Sequence, residues 1–273
     1  MNVKLTKALG IAAVSLALCT SISKADPADW LPPGSQVDPA SASPEYLSPG
    51  SRVDGNALLG KLLFNSPSLL GEAAARMGVS CNSCHPAGHQ NTQFFISGLS
   101  AAPGDIDLTH SFWFEAGEDH QFNPLPIPSL QNITSTAPYG SRVVHQTLAG
   151  FTRHVIVDEF GGPHPDPVNM SALIAYMSLL KSAEDAESAP APNIPIAAYF
   201  KLLERPFAKS DLAAQRKIAY LLREELGRRA RLDADNVQYA SWAKWLRDVT
   251  ALAAIDPVRS EKRLKQLLGQ IAD

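Results

Sequence analysis

The sequence predicts a mainly α-helical protein with long loops and a helical extension toward its C-terminal end. Apolar residues recur at three- and four-residue spacing along several separate stretches. No stretch alternates apolar and polar residues convincingly enough for a strand, and no internal repeat is present.

Taken in order, the first element is one expected to be removed. Lys4 and Lys7 form a positive start, residues 8–18 form an apolar run too short to span a bilayer, and Ser23-Lys24-Ala25 supplies a small-x-small cleavage site. A signal peptide over 1–25 is expected, with the mature chain starting near Asp26 in the periplasm. An uncleaved anchor is the alternative, and the short apolar run weighs against it. Cys19 follows Leu18, where a lipoprotein signal wants a small residue, so Cys19 belongs to the discarded peptide.

Cleavage would remove Lys4, Lys7 and Lys24 but no acid, taking the net charge from -3 to -6. That balance argues against nucleic acid, which demands clustered Lys and Arg, and suits a basic protein partner. The remaining 248 residues, 273 less 25, suffice for one large domain or two small ones.

Residues 26–44, rich in Pro, Ser, Asp and Gly, read as an extended entry segment. A short helix is expected over 58–64 from the stripe Leu58, Leu59, Leu62 and Leu63. From 86 to 138 prolines, glycines and aromatics follow one another without a sustained period, and such a stretch reads as long loops wrapped around something. Helical pattern resumes after Thr147 through Leu148, Phe151, Val155 and Phe160. Asp166-Pro167 then supplies an N-cap and a first-turn proline for a helix carrying Met170, Leu173, Ile174, Met177 and Leu180.

Alternating Ala and Pro make 186–195 a linker. Three helices are expected beyond it. One spans about 211–229, one carries Trp242, Trp245, Val249 and Leu252, and one starts at Asp256-Pro257 and buries Val258, Leu264, Leu267, Leu268 and Ile271. The expected organisation is a first helical domain over 45–185 and a helical extension over 196–273.

Export makes cysteines disulfide candidates, yet only Cys81 and Cys84 survive processing, three apart and followed directly by His85. This is the spacing of c-type haem attachment. Two such thiols can each form a thioether with a haem vinyl group, and the adjacent imidazole then reaches the iron from the proximal side. A redox C-x-x-C motif does not require the histidine and sits in a thioredoxin-like strand-to-helix turn, which the pattern lacks. A zinc site would need two further ligands at matched spacing, and no second cysteine pair exists. One covalently attached haem c per chain is therefore expected, held by Cys81, Cys84 and His85, in a cytochrome c-like helical domain.

Two stretches carry a family resemblance. Leu59-Gly60-Lys61-Leu62-Leu63-Phe64-Asn65-Ser66-Pro67, followed by Gly78-Val79-Ser80-Cys81-Asn82-Ser83-Cys84-His85, resembles the opening of bacterial di-haem cytochrome c peroxidases and MauG-type enzymes. Ile127-Pro128-Ser129-Leu130-Gln131-Asn132-Ile133 and Thr136-Ala137-Pro138-Tyr139-Gly140 resemble a later stretch of the same superfamily. The resemblance covers about 58–180 and implies a cytochrome c fold, a haem iron and peroxide chemistry. The chain departs from it in three ways. It has one attachment motif instead of two, Ser141-Arg142-Val143-Val144 replaces the usual His-Asp-Gly-Arg, and residues beyond Pro190 find no counterpart. Some relatives also bind calcium.

The second axial position separates electron transfer from peroxide chemistry. Counted without gaps from Pro128, the family's distal Met or Tyr falls on Val155, which cannot ligate; His154 lies one residue earlier, about 100 degrees around a helix. A single gap in the 141–145 loop would bring His154 into register, so His154 is the candidate distal iron ligand, against the reading of a surface histidine. Met170 and Met177 come next, though methionines on an apolar helix face usually serve the core. His89 fits a propionate or solvent contact, and His110, His120, His145 and His164 read as loop residues. Arg142 and Arg153 are candidates for haem propionates or for surface ion pairs. Glu159 is a candidate acid or base, or a solvated helix end, and Trp113 an electron relay or loop packing.

Three functions compete on these grounds. The first is a periplasmic mono-haem c-type cytochrome carrying electrons between redox protein partners. The second is a peroxidase or MauG-like haem oxidase fed by an external cytochrome. The third is a haem-bearing accessory subunit of a redox complex, docking through 196–273.

Overall fold

The computed structural model describes residues 43–51, 53–186, 189–233 and 236–272. The expected signal peptide, residues 26–42 of the entry segment, and residues 187–188 of the linker lie outside them.

The chain is mainly helical, as its periodicity predicts. Helix α1 (Gly55–Phe64) begins three residues earlier than the apolar stripe indicates, because Asp54 caps it by accepting the Ala57 N–H at 2.8 Å. It crosses α5 (Pro167–Leu179) at Gly60, where an added Cβ would lie 1.9 Å from the Ala172 carbonyl oxygen. Only a glycine allows that approach, and it lets Phe64 meet Tyr176 edge-on with ring centroids 5.3 Å apart. Helix α5 starts as expected, with Asp166 accepting from the Asn169 N–H at 2.8 Å and Pro167 in the first turn.

Between these two lie the elements that carry the site. Helix α2 (Glu72–Met77) stops at Gly78 in the left-handed conformation, and one turn of helix, α3, follows at Cys81–Cys84. Helix α4 (Leu148–His154) is capped by Thr147 and continues into a π turn over Val155–Glu159.

Residues 85–147 are mostly turns, as expected, with one correction. A short antiparallel ribbon joins β1 (Asp105–Ile106) to β2 (Leu125–Pro126), in register Asp105 to Pro126 and Ile106 to Leu125. Two residues per strand are too few to produce an alternating pattern. The loops are organised around fully buried Asp107. Its carboxylate accepts from the Thr109 and Asn123 N–H groups, and its carbonyl from Trp113 Nε1 at 2.9 Å.

The extension contains more than the three helices expected. Before them, α6 (Ile196–Phe200) and α7 (Glu204–Ala208) insert Tyr199, Phe200 and Phe207 into the core. These helices are five residues long, too short to show a period. The expected trio follows as α8 (Leu212–Leu232), α9 (Gln238–Ala253) and α10 (Pro257–Ala272). In α10, Leu264 and Leu267 are buried and Leu268 and Ile271 partly so. Val258 is not: it is 80% exposed, because α10 turns Ser260 toward α9, where its hydroxyl bonds the Val249 carbonyl at 2.7 Å.

One apolar core runs from Leu58 to Leu267 through both halves of the chain. The irregular stretch 189–195 is tied down, with the Ala191 N–H donating to the Glu45 carbonyl at 2.7 Å and Arg229 donating to the Ile194 carbonyl at 3.0 Å. Among the described residues no helix is long and apolar enough to cross a membrane.

Candidate haem-attachment site

Helix α3 is created by its own sequence. The Ser80 side chain caps the turn while the Ser83 hydroxyl accepts the Ser80 N–H at 3.0 Å, a reciprocal pair that closes one helical turn. One turn is what a pair of thiols three apart requires to project from the same side. The chain after it is folded back on α3. Asn91 donates to the Ser83 carbonyl at 2.7 Å, and the Asn91 N–H to the Cys84 carbonyl at 3.0 Å.

His85 is half-buried, and its Nδ1 lies 2.9 Å from the Pro128 carbonyl oxygen. A carbonyl only accepts, so Nδ1 carries the proton and Nε2 carries the lone pair. The 88–130 loop holds Pro128 in place, with the Leu130 N–H donating to the Gly88 carbonyl at 2.8 Å and the Ser129 hydroxyl to the same oxygen at 3.2 Å. Burial dominates the basicity of His85 and pulls its pKa down to about 4, the Pro128 contact pushing weakly back. A neutral imidazole with a free Nε2 is the form that ligates a metal.

The thiols are shielded as well. Cys84 is buried and Cys81 half-buried; burial pushes the Cys81 thiol up to about 12 and the Cys84 thiol higher. Reactive redox cysteines have thiols pulled the opposite way, so this environment disfavours the thioredoxin-like alternative. The remaining chemistry of the set, two protonated thiols and one neutral imidazole on adjacent positions, matches what a c-type haem takes up. Among the described residues no group of three or more His, Cys, Asp and Glu is arranged to hold a bare metal ion.

His154 sits at the end of α4, half-buried, with both ring nitrogens facing carboxylates. Nδ1 is 2.9 Å from Asp158 Oδ2, and Nε2 is 3.6 Å from Glu159 Oε1. Burial raises the Glu159 carboxyl above its ordinary value, while His154 and Arg142 pull it back. The His145 ring lies 4.9 Å from that of His154, and its Nε2 is buried without a hydrogen-bond partner. No hydrogen bond or ring contact among the described residues joins this group to Cys81, Cys84 or His85. The sequence singled out His154 and weighed Glu159. It placed His145 in a loop, where the structure has it, but not against His154, and it gave no role to Pro128, which acts through a backbone carbonyl.

Several other candidates make contacts of their own. Met177 is 5% exposed within the core, and Met170 is half-buried on the same helix. The His89 Nε2 bonds the Pro44 carbonyl at 2.8 Å. Arg142 bonds Thr109 Oγ1 at 2.8 Å and Asn123, fastening the 141–145 loop to the 107–123 loop, and Arg153 is exposed. Trp113 is buried between Phe112 and Phe160, each ring 4.9 Å away.

No protein-family model, curated protein or solved structure matches this chain.

Proposed function

We propose that this chain is an exported mono-haem c-type cytochrome that carries electrons between redox protein partners in the periplasm. The observation that carries this reading is the hydrogen bond from His85 Nδ1 to the Pro128 carbonyl, one residue after two shielded thiols on one helical turn. A haem c joined to Cys81 and Cys84 would supply a one-electron ferric–ferrous couple. The Pro128 carbonyl fixes the His85 tautomer and ring orientation and makes Nε2 the stronger donor toward iron. His154 is the candidate distal ligand, with Asp158 on its Nδ1 in the equivalent supporting role.

A specific observation favours a second reading, a peroxidase or MauG-like haem oxidase fed by an external cytochrome. The Glu159 carboxyl, raised by burial, stands 3.6 Å from His154 Nε2, an arrangement in which the two side chains would hold and pass a proton beside the haem.

Protein matured in a periplasm, run on a denaturing gel with haem staining and then examined by ferric absorption with and without peroxide, separates these readings. Stain that survives denaturation in the wild type and is absent from the Cys81→Ala/Cys84→Ala variant is expected, with a low-spin spectrum indifferent to peroxide. A colourless wild-type chain overturns both readings. A high-spin spectrum that shifts on adding peroxide replaces the carrier with the enzyme.

A further inference from the structure

A cavity of about 670 Å³ opens between α1, α3 and α8, on the Asn82–Ser83 side of α3. None of Cys81, Cys84 and His85 lines it. Its walls carry Lys61, Arg228 and Arg231 against Glu45 and Glu224. Most of these charges already have partners. Lys61 Nζ lies 2.5 Å from Glu45, Arg228 holds Glu225 at 2.7 and 2.8 Å, and Glu224 is bonded by Ser66 and Ser68. Arg229 also draws on Glu225, at 2.8 Å, so one buried carboxylate serves two guanidinium groups.

Among the described residues Arg231 is left over. Its Nε is buried in the wall without a hydrogen-bond partner, and burial together with the neighbouring Arg228 charge depresses its pKa. A buried donor on a permanent cation is costly unless an acceptor reaches it. Among the described residues the cluster lacks a counter-anion at this point, and the adjoining space is of the size that takes a small organic molecule.

We infer that this cavity binds a small organic acid whose carboxylate pairs with Arg231 and whose body fills the space toward α3. Charge selects the class. Lys61, Arg228, Arg229 and Arg231 stand against Glu45, Glu224 and Glu225, four positive charges to three negative, so a single added negative charge balances the cluster. The planar guanidinium fork also matches a carboxylate in a bidentate pair. Pro67, Pro192 and Tyr220 give the walls an apolar component suited to an organic body. The inference gives the C-terminal extension a task, since α8 supplies Arg231, and it does not depend on the haem reading.

Gly227 provides a clean test. It lines the cavity from within α8, and a Cβ built there meets nothing within 4 Å. Gly227→Leu would therefore plug the space while improving helix propensity. The full chain is heated with millimolar benzoate, with neutral benzamide and with inorganic phosphate, in the wild type and in Gly227→Leu and Arg231→Gln. A saturable rise of several degrees in the wild-type unfolding midpoint with benzoate is expected, lost in both variants and not produced by benzamide. No rise with benzoate, or a rise that persists in Gly227→Leu, overturns the site. An equal rise with phosphate or benzamide overturns the assigned chemistry.

Discussion

The His85 imidazole donates from Nδ1 to the carbonyl oxygen of Pro128, 2.9 Å away and 43 residues further along the chain. That contact spans the loop region between α3 and α4, and it fixes which nitrogen of the histidine is available to a metal.

Burial of the same ring, against the weaker opposing pull of the Pro128 contact, makes the haem-free chain sensitive to acid. The folded His85 pKa, about 4, lies below the ordinary 6.5, so the unfolded chain takes up its proton first. Stability is then present above 6.5 and is lost as pH falls from 6.5 toward 4, at no more than about 1.4 kcal/mol per pH unit. Urea midpoints of the Cys81→Ala/Cys84→Ala chain at pH 7 and pH 5 should differ, and the difference should shrink when His85→Gln is added. An unchanged difference would assign the acid sensitivity elsewhere.

If His154 is the distal ligand, His154→Ala converts a low-spin ferric spectrum to high-spin. Asp158→Asn should keep the low-spin spectrum but raise the reduction potential, because the Nδ1 partner no longer strengthens the ligand against ferric iron. A spectrum indifferent to His154→Ala removes it from the iron and leaves its two carboxylate contacts as local surface structure.

Gly60→Ala tests the crossing of α1 and α5. The exchange adds up to about 1 kcal/mol of helix propensity. The new methyl, however, would fall 1.9 Å from a backbone carbonyl that cannot swing aside. Overpacking should win, for a net loss of about 2 kcal/mol or more, visible as a lower thermal midpoint.

Glu225 anchors the extension. It is 2% exposed; burial pushes its carboxyl up, but Arg228 and Arg229 outweigh that and hold it below its ordinary value. Glu225→Ala leaves two guanidinium groups without their shared carboxylate and should cost about 3–5 kcal/mol. Because the folded pKa is lowered, the wild-type contribution is present at neutral pH and is lost as pH falls below the ordinary carboxylate range. A urea midpoint unchanged at pH 7 would show that the pair contributes nothing net.

By itself the sequence determined the longer helices and the spacing of Cys81, Cys84 and His85. Asp54, Thr147, Asp166 and Asp211 are local caps. The stripes of α1, α5 and α8 are local periods, and Cys81, Cys84 and His85 are neighbours along the chain, so each could be read without knowing the fold. Only the tertiary structure decided what those local features meet. The Pro128 carbonyl, the buried Nε2 of His145 and the uncompensated Arg231 are set by loop closure and helix packing over tens of residues. Backbone oxygens and missing counter-charges leave no mark in a linear pattern. Val258 shows the same limit in reverse: helical spacing places it on an apolar stripe, but which face of α10 is covered depends on where α9 lies.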